Sequence, residues 1–212
     1  AQFPWESALE LVDRARFSVD SVGVLNTFCM SGGRINAASA LGSRPRMSNG
    51  SGRCQVNTGS QIAIGGIWIG GSGSKRVAFR AWGPSLGQLG LPGSLSDPQI
   101  TIHNSAGQQI GSNNDWGTLS QADKNELAAH GLTPLHSLDS AWIATLAPGG
   151  YTVQLSGVGG ATGIGMIESF DIDGSNVKRL TNTSTRCYVG TGNAITIGGL
   201  TVSGNKPRQV YT

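Results

Sequence analysis

The stretch Arg46-Met-Ser-Asn-Gly-Ser-Gly-Arg-Cys-Gln-Val-Asn-Thr-Gly59 occurs again as Arg179-Leu-Thr-Asn-Thr-Ser-Thr-Arg-Cys-Tyr-Val-Gly-Thr-Gly192. The two copies align without a gap from residue 46 to residue 79 at an offset of 133, and 14 of these 34 positions are identical. An internal repeat of this kind defines the organisation of a chain before any other feature. We therefore divide the sequence into an N-terminal extension (1–45), a full module (46–178) and a partial second repeat (179–212).

Alternating apolar residues run through both copies. They flank a Gly-Gly pair at Ile62, Ile64, Ile67 and Ile69, and again at Ile195, Ile197, Leu200 and Val202. Alternation with period two predicts β-strands, and a glycine pair within such a pattern predicts a bulge or a sharp bend. Each copy is therefore predicted to form two short strands around a turn.

Short strand patterns also recur between the copies, at 77–82, 99–103, 141–146, 151–155 and 164–171. Evenly spaced strands with turn residues between them are typical of a sandwich or a barrel. One helix is expected near residues 120–130, with Ser120 and Asp123 as a capping pair and Gly131 as its stop. We predict an all-β fold, an antiparallel jelly-roll-like β-sandwich with one short helix.

The N-terminal extension is expected to be helical or irregular. Pro4 suits a first helical turn, so that a docking helix begins there, whereas residues 18–45 have mixed polarity and read as loop. The chain starts at Ala1, which fits the removal of a signal peptide, although a truncated chain would start in the same way.

The composition excludes several classes of protein. Glycine contributes 33 of 212 residues, and charged residues are 13%, about half the usual ~25%. These values argue against a coiled coil and against a highly charged disordered chain, and glycine lacks the three-residue period of collagen. The net charge is +3, and the basic residues are scattered along the chain. Nucleic-acid-binding proteins have clustered basic residues, so this distribution argues against that function. No apolar stretch approaches the ~20 residues of a membrane span. A weakly charged, turn-rich chain is typical of extracellular or cell-surface β-proteins.

The three cysteines, Cys29, Cys54 and Cys187, are the disulfide candidates. No CxxC motif occurs, which argues against a zinc or haem site. Because three is an odd number, at most one intrachain disulfide can form, and the third thiol is free or pairs between subunits. Three buried, reduced thiols are the alternative.

Two oxygen-rich runs are candidates for structural calcium. The first contains Asn113, Asn114 and Asp115, and the second contains Asp171 and Asp173. Calcium prefers six to eight oxygen ligands, but neither run has the terminal Glu of an EF-hand. Asn and Asp also stabilise turns without a metal, so structural turns are the alternative. No other cofactor is expected.

A hydrolase motif is present only formally. Gly83-Pro-Ser-Leu-Gly87 matches the G-x-S-x-G pattern, but a nucleophile elbow requires a strand, a strained turn and a helix in an alternating α/β fold. We therefore interpret Ser85 as part of a structural turn. The glycines between Gly157 and Gly163 precede β-like sequence and predict a hairpin turn rather than a phosphate loop. The chain is not expected to be an enzyme.

Aromatic residues leave a binding function open. If exposed, they could stack on sugar rings, although core packing is the simpler interpretation for a chain with 6% aromatic residues. The candidates are Trp68, Trp82, Trp116, Trp142 and Tyr151.

Several motifs carry a family resemblance. Ile100-Thr-Ile-His-Asn-Ser-Ala-Gly and Ala144-Thr-Leu-Ala-Pro-Gly-Gly-Tyr-Thr resemble the bacterial pre-peptidase C-terminal type of β-sandwich. Arg80-Ala-Trp-Gly-Pro-Ser-Leu, Asn114-Asp-Trp-Gly and Arg179-Leu-Thr-Asn-Thr-Ser-Thr-Arg are similar to a β-domain repeated in large secreted or surface proteins of environmental bacteria. The resemblance covers about residues 46–212 and implies a noncatalytic module. Cysteine at 54 and 187 departs from the small residue expected there.

The partial repeat leads to the functional hypothesis. A spare strand pair has no complete module of its own, so its apolar residues are expected to pack against another subunit; these assembly residues are Ile195, Ile197, Leu200 and Val202. Head-to-tail contacts propagate into filaments or rings. We predict a noncatalytic, secreted bacterial protein that forms an extracellular homopolymer, either a filament or a surface layer. The alternative is an adhesion or carbohydrate-binding module of a larger tandem-repeat surface protein, with surface glycans as partners.

Overall fold

The structure is a computed structural model that describes residues 19–21, 33–35, 46–174, 179–204 and 210–211. The chain forms two units, residues 46–203 and residues 1–45 with 204–212. In the latter unit, strand β1 (Val19–Ser21) pairs with strand β2 (Gly33–Ile35) in antiparallel fashion. The expectation of loop throughout residues 18–45 is therefore wrong for these two segments. The helix predicted to begin at Pro4 lies outside the described residues.

Ten strands form the larger unit, and all of their pairings are antiparallel. They are β3 (Arg46–Val56), β4 (Ala63–Gly70), β5 (Lys75–Trp82), β6 (Pro98–Asn104), β7 (Gln109–Asn113), β8 (Ser140–Leu146), β9 (Gly149–Gly157), β10 (Gly163–Asp171), β11 (Arg179–Arg186) and β12 (Ile197–Ser203). Their order in the sheet is β7-β6-β9-β4-β11-β3-β10-β5-β8, and β12 also pairs with β3. The predicted antiparallel β-rich fold is confirmed, whereas the jelly-roll arrangement stays a prediction.

Helix α2 (Gln121–Ala129) confirms the helix predicted near residues 120–130. The Ser120 side chain accepts a hydrogen bond from the backbone N–H of Asp123 at 3.1 Å, which satisfies one of the free donors at the helix start. Gly131 follows the helix with a φ of 67°, the left-handed conformation that ends many helices. A second, five-residue helix, α1 (Pro84–Gln88), was not predicted.

The core follows from alternation along the strands, because successive side chains point to opposite faces of a sheet. One buried cluster is formed by inward residues of several strands, among them Val56, Ile69, Phe79, Ile100, Ile102, Val153 and Leu155. A smaller cluster lies around α2, where Leu127 packs with Ala78 and Ile143. In the part of the chain that the structure describes, no helix has the length and apolar character needed to cross a bilayer.

Strand β4 corrects the prediction of two short strands around a bend. It runs without interruption through Gly65 and Gly66, and its ladder with β9 keeps one register from Ala63 to Ile69. The glycines serve a close approach instead. A Cβ atom on Gly66 would lie 2.5 Å from Ser184 Oγ, and one on Gly65 would lie 3.3 Å from Ile167 Cγ2. The glycines therefore fit a close approach of neighbouring side chains and not a bend of the backbone.

Candidate functional site

The two copies of the repeat pair with each other crosswise. Strand β11, the second copy of β3, pairs with β4, and strand β12, the second copy of β4, pairs with β3. We call these four strands the joint, and β11 with β12 the tail pair. The backbones of both strands of the tail pair are thus hydrogen-bonded within the chain, whereas the packing of its apolar residues against another subunit stays a prediction.

The two ladders of the joint have the same register. Leu180 lies opposite Ile69 in one ladder, and the corresponding pair in the other is Met47 opposite Val202. Both ladders are irregular at the same place, where Ser48 in β3 and its counterpart Thr181 in β11 are skipped. A shared register and a shared irregularity indicate that the joint has an approximate local two-fold symmetry.

Close contacts between β3 and β11 obey the same symmetry. A Cβ atom on Gly50 would lie 2.6 Å from Oγ1 of Thr183, its counterpart in the second copy. Gly52 faces its counterpart Thr185 even more closely, so a side chain on Gly52 would meet that threonine. Along this face, residues therefore meet their own repeat equivalents, and a glycine in one copy makes room for a threonine in the other.

Cys54 and Cys187 continue this series of facing equivalents. Cys54 is completely buried in the core, and Cys187 packs against the same buried cluster. Burial raises the pKa of the Cys54 thiol well above its usual range, and a hydrogen bond with Cys187 raises it further. Cys187 Sγ also lies 3.3 Å from Thr196 Oγ1. Two of the three candidate cysteines are thus brought together as thiols, and Cys29 lies outside the described residues.

The predicted assembly residues lie on an open face. Leu200 and Val202 are 42% and 37% exposed, whereas their counterparts Ile67 and Ile69 are 5% and 0% exposed. Ile195 and Ile197 are exposed as well. In the first copy, β4 has β9 as a second partner and β3 has β10. Among the described strands, the tail pair has no counterpart of β9 or β10, so its apolar side chains stay in contact with solvent.

The second calcium candidate is an ion-pair cluster. The Lys75 ammonium, fully buried, lies 2.7 Å from Asp171 Oδ1 and 2.6 Å from Asp173 Oδ1. Arg46 adds a further positive charge 3.8 Å from Asp171. Two protein cations therefore lie at the carboxylates where calcium was predicted.

The first calcium candidate is a turn with its own hydrogen bonds. Asn113 Nδ2 donates to the Asp115 carbonyl at 3.1 Å, and Asn113 Oδ1 accepts from Ala141 N at 3.0 Å. The Asn114 carbonyl accepts from the Ser140 hydroxyl at 2.5 Å. The Asn113 side chain is thus engaged within the protein, which leaves the Asp115 carboxylate as the one charged oxygen donor of this run.

The Asp115 carboxylate has an acidic neighbour, Asp97. Their Oδ1 atoms are buried, and each lacks a hydrogen-bond partner among the described residues. Burial raises the pKa of Asp97, and the negative charge of Asp115 raises it further. No group of three or more His, Cys, Asp or Glu side chains in the described ranges is placed to hold a metal. Two carboxylates fall short of the six to eight oxygens that calcium prefers.

The Ser85 side chain is buried and hydrogen-bonded to Asp139. Its hydroxyl donates to Asp139 Oδ2, and Asp139 Oδ1 accepts from the Gly83 backbone N–H at 2.9 Å. The ring Nδ1 of His136 accepts from Leu138 N at 3.2 Å. Asp139 thus holds Gly83 and Ser85 at the start of α1. The glycine run near Gly159 is a turn between β9 and β10. The predicted hairpin is wrong, because among the described strands β9 pairs with β4 and β6 whereas β10 pairs with β3 and β5.

Most of the aromatic candidates have structural partners. Trp142 stacks on Phe79, with ring centroids 6.0 Å apart, and Trp116 Nε1 donates to the His136 carbonyl at 3.0 Å. The Tyr151 hydroxyl donates to the Ala147 carbonyl at 3.0 Å. Trp68, by contrast, is 52% exposed on β4.

Trp82 belongs to a cluster that sequence reasoning missed. Its Nε1 donates to Glu168 Oε2 at 2.7 Å, and the same oxygen accepts from Arg80 Nε at 3.0 Å and Nη2 at 2.7 Å. The Arg80 guanidinium also lies 4.9 Å from the ring centroids of Trp82 and Phe170. No sequence spacing links Arg80 to Glu168; the register between β5 and β10, in which they pair, brings them together.

The chain matches no model of a known protein family, and a search of curated proteins finds no significant relative.

Proposed function

We propose that this protein is a noncatalytic, secreted structural protein that assembles head-to-tail into an extracellular filament or surface layer, with the tail pair as the assembly element. The observation that carries the proposal is the open state of β12. Its backbone pairs with β3 on one edge, but among the described residues its other edge and its apolar side chains lack the cover that the same parts of β4 receive.

The joint is suited to exchange between copies. The ladders of the tail pair involve only β3 and β4 among the described strands, apart from an isolated bridge between Tyr188 and Gln55 at the end of β3. Asp173 is held by Lys75, so residues 174–178 lead from there to β11, and five residues can span up to about 17 Å. The tail pair of one copy can therefore join β3 and β4 of the next copy through the same ladders. Such an exchange is a low-cost route to association, and a head-to-tail exchange gives an open filament unless its rotation closes a ring.

The open face of β12 supplies a second contact. Leu200 and Val202 stay exposed whether the tail pair closes on its own chain or on a neighbour, because neither arrangement adds a strand to the outer edge of β12. Exposed edges with apolar side chains are templates for pairing with another chain. We infer that β12 faces of neighbouring copies pack against each other, so that exchange gives the filament and these faces give lateral association.

The proposal includes a jelly-roll-like sandwich fold and an extracellular location. Close packing of β3 against β11 at Gly50 and Gly52 supports two layers, as in a jelly-roll-like sandwich. The low charge of the chain supports an extracellular or bacterial cell-surface setting. The resemblance to surface-protein modules supports it as well.

The first test removes the tail pair. A chain lacking residues 179–212 is expected to remain monomeric by light scattering and to form no filaments by electron microscopy. Circular dichroism checks that the shortened chain is still folded, because the deletion uncovers the edges of β3 and β4. Filaments of unchanged appearance from the folded, shortened chain would overturn the proposal.

The second test changes only the open face. The double variant Leu200→Asp/Val202→Asp is expected to keep filament formation but to lose lateral bundling, seen as thinner filaments and lower turbidity. Leu135→Asp is the matched control, since Leu135 is exposed but lies outside the joint. Equal bundling by the double variant and the control would exclude β12 as a lateral contact.

A second candidate function rests on Trp68. Its exposed ring lies beside Gly150, where a Cβ atom would come within 3.1 Å of the indole. This flat, accessible surface supports the alternative of an adhesion or carbohydrate-binding module. A glycan array, followed by calorimetry with the Trp68→Ala variant, tests it, and glycan affinity that is unchanged in the variant would exclude this platform.

A further inference from the structure

Two thiols lie together at one end of the joint, where Cys54 is near the end of β3 and Cys187 follows the last residue of β11. Cys54 and Cys187 are repeat equivalents, and they follow the facing pairs Gly50–Thr183 and Gly52–Thr185 at the same two-residue spacing. A Cβ atom on Gly52 would overlap the Thr185 side chain, so β3 and β11 approach closely at this point. Short side chains at the next pair of equivalent positions can therefore touch. The position of the two sulfurs is thus set by the local symmetry of the joint, not by side-chain flexibility.

We propose that Cys54 and Cys187 are a disulfide-forming pair that ties the first strand of the module to its second copy. The bond is formed between repeat equivalents that pack in the same buried cluster. A disulfide at this site fixes the tail pair on whichever β3 it occupies. That the bond can link two chains rests on the proposed function, whereas its formation does not.

The chemistry requires an external oxidant, for which a low-molecular-weight disulfide such as oxidised glutathione is sufficient. Cys187 is the more accessible sulfur, so its thiolate attacks the glutathione disulfide, forms a mixed disulfide and releases one glutathione thiolate. The Cys54 thiolate then attacks the Cys187 sulfur and releases the second glutathione. The protein loses two protons and two electrons, and one glutathione disulfide becomes two glutathione thiols.

The persistence of the disulfide depends on the redox environment and on how easily a reductant reaches the bond. Disulfides persist in oxidising compartments, whereas cytosolic reductants remove them. Cys54 is fully buried, so reductant reaches the bond only from the Cys187 side. We therefore expect slow reduction of the folded protein and rapid reduction after unfolding.

The experiment uses the full chain with Cys29→Ser, which leaves Cys54 and Cys187 as its cysteines. After incubation with oxidised glutathione, we expect an intact-mass loss of about 2 Da per chain and a peptide in which Cys54 is joined to Cys187. The oxidised chain should melt about 10 °C above the reduced chain, because the bond constrains the unfolded state. The Cys187→Ser variant should show neither change.

Non-reducing electrophoresis separates the possible outcomes. A cross-linked monomer supports the disulfide pair but contradicts exchange, whereas a ladder of linked chains that carry the same peptide supports both. Filaments without any Cys54–Cys187 peptide would overturn the disulfide pair and leave the assembly proposal intact. Thiols that both remain titratable in the folded, oxidant-treated chain would also overturn the pair. Should Cys29→Ser fail to fold, the natural sequence with peptide mapping gives the same readout.

Discussion

Strands β4 and β12 are two copies of one sequence element, yet they differ in what surrounds them. Both carry the Ile-x-Ile-Gly-Gly pattern, and both make a ladder of the same register within the joint. Ile67 and Ile69 of β4 are buried, whereas Leu200 and Val202 of β12 are largely exposed. The difference comes from β9, which covers the second edge of β4 and has no counterpart at β12 among the described strands. Alternation thus specifies a strand and its register, but burial depends on the presence of a second partner.

The largest expected effect tests this difference in burial directly. Ile67→Ala should lower the free energy of unfolding by about 2–5 kcal/mol, because it leaves a cavity in the core. Leu200→Ala removes a side chain of the same size from an exposed position and should cost less than about 1 kcal/mol in the dilute monomer. Urea unfolding at micromolar concentration measures both values. Equal losses would show that the β12 face is covered in solution, contrary to the structure.

A smaller effect is expected where the two copies contact each other. Gly52→Ala should cost about 1–3 kcal/mol, because its Cβ atom meets the Thr185 side chain. The additional change Thr185→Gly should restore part of that loss, measured as a coupling in a double-mutant cycle.

Gly198→Ala is the matched control for this cycle. It lies on β12, and a Cβ atom there has no neighbour within 4 Å. Its effect on the free energy of unfolding should therefore be within about 0.5 kcal/mol. A cycle that shows no coupling between residues 52 and 185 would contradict the close approach of β3 and β11.

The smallest effect concerns the two equivalent cysteines. In the reduced chain, iodoacetamide at pH 8 should modify Cys54 at least about tenfold more slowly than Cys187, because Cys54 is buried and its pKa is raised. Since the thiolate is the reactive form, a raised pKa means that Cys54 labelling keeps increasing with pH above ~8.5, the pKa of an ordinary thiol. Mass spectrometry of labelled peptides follows each site. Equal labelling rates would indicate that the joint opens readily.

The sequence predicted those features that depend on neighbouring residues. Alternation located the main strands, and Ser120 with Gly131 located the start and the end of α2. The repeat identified the tail pair and its apolar residues, but not where its backbone would pair. The pairing of β11 with β4 and of β12 with β3 joins residues more than a hundred positions apart, so local sequence patterns do not predict it.

For Gly66 and Asp171, the contacts in the structure come from residues that are distant in the sequence. Gly66 was predicted to mark a bulge or a bend, but β4 runs through it in one register and the Ser184 side chain lies close to it. Asp171 was a candidate calcium ligand, with a structural turn as the alternative, and the Lys75 ammonium lies at its carboxylate although no local pattern relates these positions. Local sequence spacing thus predicts candidate ligands and turns. Which residue contacts each charged or small side chain depends on the register of the strands.

The equal registers of the two ladders have a consequence for how such a gene can change in length. If residues 46–178 were duplicated once more in frame, each added segment would bring its own β9 and β10 equivalents, and every junction would reuse the same pairs of opposing positions. The length of the molecule would then grow in constant steps without any new interface having to evolve. Copy number alone would act as a molecular ruler.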